Sequence, residues 1–343
     1  MTLSGTTELK EARRLGERLP PAAPGLALAV AIGAVATGIG SAVPLVGAPV
    51  FAIVLGLAVR IAFGPGAWAT PGISFAGRTV LQAAIVLLGS GLALGTVLRV
   101  GLGSLPVMLG TLAAALVGGR LIGRALGIGA PLRTLVTVGT GICGASAIAA
   151  VASVVEVESA AVAYAISTIF VFNVAAVLAF PAIGHALGLG QQAFGLWAGT
   201  AVNDTSSVVA TGYAFGHAAG AHAVVVKLTR TTLIVPVVLG LSLLERRRSG
   251  SGRKVAPWRL VPPFLVLFVL AAALNSAGAI GGLSHVLTKV ALFLIAVALA
   301  GVGLSARPAQ IRSTGFRPLV LGAALWLVVA LTSLGLQALS GQL

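Results

Sequence analysis

The chain has 343 residues, 58% of them hydrophobic and only 8% charged, whereas a soluble domain carries about 25% charged residues; a water-soluble globular protein is excluded. The net charge of +15 does not point to nucleic acid, because Lys and Arg gather in short stretches between apolar runs and only 5% of residues are aromatic. A single cysteine, Cys143, excludes an intramolecular disulfide or a cysteine-based metal cluster, and the four histidines lack clear ligand spacing, so no cofactor is expected.

The first 20 residues are polar, with Arg13, Arg14 and Arg18 ahead of the first apolar run. They read as a cytoplasmic lead-in rather than a cleaved signal. Residues 21–343 read as one transmembrane domain, an all-α polytopic membrane protein of ten or eleven helices. Apolar segments fall near 24–40, 44–63, 79–98, 102–126, 132–154, 158–181, 190–212, 221–245, 257–275, 284–305 and 316–338. Many are long enough to span a bilayer core of ~30 Å. Basic residues mark alternate connections: Arg60 and Arg78; Arg120, Arg124 and Arg133; the loop 246–259; and Arg307, Arg312 and Arg317. Such alternation puts the N-terminus inside and the C-terminus outside a bacterial inner membrane. The sixth connection should then be inside, yet it has no Lys or Arg. Glu156 and Glu158 are placed on the outer side.

Residues 84–110 align without gaps to 296–322, with Gly89/Gly301, Gly91/Gly303, Leu92/Leu304, Pro106/Pro318 and Gly110/Gly322 among the identities. By the charge count the copies run in opposite directions, so segments 44–126 and 257–338 read as an inverted repeat, the mark of many secondary transporters.

Two segments are poor continuous helices. In TVGTGICGASAIAA, 137–150, the glycines Gly139, Gly141 and Gly144 crowd together before Ala145 and Ser146. Each glycine costs roughly 1 kcal/mol in a helix relative to Ala. In GTAVNDTSSVVA, 199–210, Asn203, Asp204, Thr205 and Ser206 favour caps over helix interiors. Asp204 is the only aspartate of the chain. A carboxylate at membrane depth is functional by default. Half-helix N-termini offer N–H donors and a positive dipole end to an anion, and Ser146, Thr205 and Ser206 add neutral hydroxyls. Small residues that merely permit close packing give the competing explanation. By the charge count both broken segments run the same way, which disagrees with an inverted pair unless one is re-entrant; they resemble each other too slightly to show how they pair.

Lys227 and Arg230 share a helix face in the 221–245 segment, either as cations at the site or as side chains snorkelling to an interface. Asn173, mid-segment, fits an interhelical hydrogen bond. Cys143 has no histidine near it in sequence and fits a packing role.

GICGASAIAA at 141–150, GTAVNDTSSVVATG at 199–212 and VKLTRTTLIVP at 226–236 together resemble the YeiH-like sulfate-exporter family of bacterial inner-membrane proteins; Gly89, Gly91 and the PPF turn at 262–264 fit as well. The resemblance implies a secondary carrier related to the bile acid, arsenite and auxin carrier group, with inverted repeats and broken helices crossing at the substrate site. It also implies sulfate or a related sulfur oxyanion as cargo. The chain departs from the family at Asn203, where histidine is usual, and at Ser207, where glutamine is usual.

The expected function is therefore secondary transport of a small anion, sulfate or a sulfonate, by alternating access. Gly141, Cys143, Gly144, Ala145, Ser146, Thr205, Ser206, Lys227 and Arg230 are the expected substrate site. Asn203, Asp204 and Thr205 are the expected place of a coupling proton or sodium ion. A homo-oligomer is compatible with this. The alternatives are a non-transporting sensor or scaffold, for which no soluble signalling domain is evident, and an intramembrane hydrolase, for which no titratable base accompanies a nucleophile.

Overall fold

The computed structural model describes residues 22–42, 47–155, 157–249, 260–306 and 315–343. The predicted lead-in 1–20, Glu156, residues 250–259 of the basic loop, Arg307 and Arg312 lie outside them. The described residues are helical, with no strand among them. In chain order the helices are α1 (Ala23–Ala42), α2 (Gly47–Phe63), α3 (Thr70–Gly89), α4 (Leu94–Ala125), α5 (Ala130–Gly141) and α6 (Ala145–Ala152). There follow α7 (Ser159–Ala186), α8 (Gln191–Ala201), α9 (Thr205–Phe215), α10 (His217–Thr232), α11 (Ile234–Ser249), α12 (Pro263–Ser276), α13 (Leu283–Leu304) and α14 (Phe316–Leu339). Seven are long and apolar enough to cross a membrane, α10 and α11 counting as one, and α2 and α12 are shorter apolar helices. This is a multi-pass membrane protein. α4 turns Leu98, Leu102, Leu109, Leu116 and Leu121 outward, a row that water would penalise and lipid accepts.

The third apolar segment is shifted from its predicted position. The helix begins at Thr70, with Pro71 in its first turn, and ends at Gly89, where the Ser90 and Gly91 N–H groups turn back onto Leu87 and Leu88 carbonyls. The predicted stretch 79–98 straddles this turn because a charge at Arg78 reads, in sequence, as the edge of an apolar segment. Arg78 lies instead inside α3, on a single π-turn over Ala76–Val80.

Two bundles make up the molecule. One joins α1, α2, α3, α12 and α13, whose backbones approach over glycines: Gly25 against Ala69 and Ile73, Gly56 against Ala300, Gly301 against Ala76 and Gly77. Small residues at crossings let helices pack where no hydrophobic drive separates protein from lipid. The other bundle joins α4 to α11 with α14. There α14 runs antiparallel to α4, with Leu325 at Gly118 and Leu336 at Gly110. α7 runs parallel to α14, since Thr168 and Phe172 meet Gly322 while Phe180 stacks on Trp326.

These directions fix the broken segments. The start of α7 lies on the side where α4 ends and α5 begins, so α5 and α6 together enter and leave by the same side. Gly139 of α5 accordingly packs against Ile148 of α6. The second broken segment enters and leaves by the opposite side: Phe194 of α8 stacks on Phe215 of α9 at 3.8 Å, and Gln191 Oε1 accepts from the Ala219 N–H at 2.9 Å. Both are re-entrant hairpins. The eleven predicted segments thus resolve into nine crossings and two hairpins among the described residues. Glu158 moves to the side of Arg60, Arg124 and Arg133, correcting the expectation that it lies outside. The sixth connection moves to the other side, which accounts for its lack of Lys and Arg.

Candidate functional site

The hairpins meet tip to tip. The first tip is Ile142–Cys143–Gly144 and the second is Val202–Asn203–Asp204. Gly144 lies against Asp204, a Cβ built on it coming within 3.5 Å of the Asp204 Cα and Cβ. Its φ of +67° and ψ of −129° suit glycine alone, so the sharp first tip depends on this residue. The second tip is closed by side chains. Asp204 caps α9, accepting from the Ser206 N–H at 3.1 Å and from the Ser206 hydroxyl. Asn173, midway along α7, accepts both the Asn203 and Asp204 N–H groups on Oδ1 at 3.2 Å. Polar backbone at membrane depth thereby finds partners.

Lys227 and Arg230 are wholly buried. Lys227 Nζ donates to the Ile142 carbonyl at 2.7 Å and the Val202 carbonyl at 3.0 Å. Arg230 donates to the Thr200 carbonyl. The snorkelling alternative is therefore excluded for both. The Asn203 side-chain oxygen and the Arg230 Nε and Nη2 are buried without a hydrogen-bond partner.

A cavity of about 380 Å³ lies beside the tips, between the two bundles. Asn173, Ala145, Asp204, Ser206 and Ser207 line one wall, and Ser74, Gly77, Arg78 and Ser305 the other. Ser74, Arg78 and Ser305 are exposed, whereas Asp204 is half-buried. α3 begins and α13 ends on the side that carries the basic connections, so the cavity extends from the tips towards that side. Arg78 has no hydrogen bond or ion pair among the described residues, and the π-turn carries it to the cavity.

The sequence-predicted residues divide accordingly. Ala145, Asp204 and Ser206 face the cavity; Thr205 and Ser146 stand at the first turns of α9 and α6 without lining it. Gly141 packs against Ala115 and Leu112 of α4, and Cys143 is buried in the first tip. Lys227 and Arg230 lie behind the tips. Ser74 and Ser305 escaped the sequence reading, Ser207 is visible there only as a departure from the family's usual glutamine, and Arg78 is visible as a charge but assigned to a connection. Among the described residues no group of His, Cys, Asp and Glu could hold a metal ion.

A family model described as Conserved hypothetical protein 698 matches residues 24–322. A UPF0324 membrane protein of Streptococcus pyogenes serotype M18 is 40% identical over 326 residues, covering 92% of this chain and 96% of that protein. Similar proteins, also described as UPF0324 membrane proteins, occur in Streptococcus mutans serotype c (39% over 333 residues, 92% and 97%) and Clostridium tetani (39% over 313 residues, 87% and 91%).

Proposed function

The chain belongs to the UPF0324 family, the YeiH-like group, and from that premise we propose that it is a secondary carrier of a small anion. The observation that carries this reading is the pair of re-entrant hairpins, entering from opposite sides and meeting beside a cavity whose largely apolar walls carry Asn173, Asp204, Ser206, Ser207 and Arg78. Opposed repeats with helix breaks at mid-membrane are how many carriers build a substrate site, and a cavity between two bundles suits rocking of one against the other. The membrane is a bacterial inner membrane, with the basic connections, and hence the cavity mouth, on the cytoplasmic side.

Arg78 is the anion's cation in this reading, aided by the Ser207 hydroxyl and the first turn of α6 at Ala145. A planar guanidinium suits sulfate, sulfonate or carboxylate oxygens. Asp204 faces the same cavity. An anion beside its carboxylate is repelled unless a proton or sodium ion enters with it, which makes Asp204 the coupling group.

Thermal unfolding of the purified chain against sulfate, sulfite, thiosulfate, alkyl sulfonates, carboxylates and phosphate tests this, with Arg78→Gln alongside. A ligand at a hundredfold excess over its Kd stabilises by about 2.7 kcal/mol. At least one anion should raise the unfolding midpoint of the native chain and not that of Arg78→Gln. Silence across the panel would sink the anion-carrier reading.

A further inference from the structure

Lys227 sits at the one point where both hairpins present the same group. Ile142 is the C-cap of α5 and Val202 the C-cap of α8, so the two carbonyls that receive its ammonium occupy equivalent places in the two hairpins. Helix C-termini carry about half a negative charge each. Two of them aimed at one buried point therefore present roughly one elementary charge, and the Lys227 ammonium meets both ends while the Arg230 guanidinium meets only that of α8, at the Thr200 carbonyl. In carriers with broken helices, such half-helix C-termini and unwound carbonyls are where a coupling sodium ion is held. Among the described residues Lys227 forms no ion pair, and its ammonium donates to these two carbonyls.

We propose that Lys227 is a resident cation of the hairpin crossing, standing where a sodium ion would otherwise be needed, so that the two tips are held together without bound sodium. What this says about coupling rests on the carrier function proposed above. It leaves Asp204, in the cavity, as the place for a coupling ion and removes the junction of the tips from that role. The side chain here is a positioning residue. Its carbonyl partners belong to backbone, so only the lysine itself is open to substitution.

Unfolding midpoints of the purified full chain in choline, potassium and sodium chloride at equal ionic strength, at about 200 mM and below, give the test. To separate the crossing from the cavity, the series is run on chains carrying Asp204→Asn. With Lys227 present the midpoint should agree within about 1 °C in all three salts. Lys227→Ala leaves the two carbonyls facing a gap. Its midpoint should fall by about 5 °C or more in choline and recover in sodium along a saturable curve. Lys227→Met fills the gap with an uncharged chain and should fall without any such recovery. A saturable, sodium-specific rise while Lys227 is present would overturn the proposal. So would a folded Lys227→Ala chain that keeps its midpoint in choline, or loses it and gains nothing in sodium. If Lys227→Ala folds only when prepared in sodium, that is recovery; if it folds in none of the salts, sodium does not replace the ammonium and the proposal fails. A silent anion panel beside a sodium-indifferent native crossing would remove the carrier reading alone.

Discussion

Asp204 accepts from the Ser206 backbone while its carboxylate faces the cavity, so one substitution can separate capping from charge. Asn caps a helix about as well as Asp. Asp204→Asn should therefore hold the midpoint to within about 0.5 kcal/mol of stability and keep the anion-induced rise, while abolishing the pH dependence of transport in proteoliposomes. Transport that kept its full pH dependence would remove Asp204 from coupling. Asn173 makes a different kind of contribution. Its one oxygen takes two N–H groups of the second tip, and Asn173→Leu would leave both without that acceptor, at about 1–3 kcal/mol for a buried unsatisfied group. The midpoint should drop by several degrees. An unchanged midpoint would mean that water or another side chain closes the tip. Asn173 was legible in the sequence as an interhelical hydrogen bond, but its partner, backbone of a hairpin tip, was not.

The breaks themselves were written in the chain. Three glycines before Ala145 and a row of capping residues after Ala201 announce them, and the helices end at Gly141 and Ala201. Whether a broken apolar segment crosses or turns back was not legible, because hydropathy measures apolar length and is blind to direction. Two signals did bear on it. One was the sixth connection without Lys or Arg. The other is an alignment of the tips themselves: 139–150, GTGICGASAIAA, against 199–210, GTAVNDTSSVVA, pairs Gly139/Gly199, Thr140/Thr200, Ser146/Ser206 and Ala150/Ala210, with Ile142 opposite Val202. The pairing gains meaning once the equivalent carbonyls are seen to share one ammonium. At Gly144 the pairing breaks, Gly against Asp204, and the tips solve the turn by different means: one by a backbone open to glycine, the other by a side-chain cap. Gly144→Ala should for that reason cost more than glycine replacement in a mobile turn, at about 1–3 kcal/mol for a backbone held in that region. A lowered midpoint and weakened anion response are expected; full stability and response would show that the tip tolerates a Cβ.

At the scale of the molecule, the composition was enough for a multi-pass helical protein, and the charge alternation for most of the relative directions of its helices. It failed over 132–212, where two through-going segments were counted in place of two hairpins. The error is self-cancelling beyond that stretch: two crossings fewer leave every later helix facing the same way, so the basic residues after α11 fit either arrangement. Only α7 and its flanking connections distinguish them. With nine crossings, Glu158 lies on the side of the basic connections and Gly188 on the other; with eleven, the two exchange sides. Cys143, the one cysteine, is buried in the first tip, and Cys143→Ala supplies a background for single-cysteine labelling. In intact cells a membrane-impermeant maleimide should modify Gly188→Cys and spare Glu158→Cys until the membrane is opened. The reverse pattern would restore two full crossings, unpick the opposed hairpins, and with them the shared seat of Lys227.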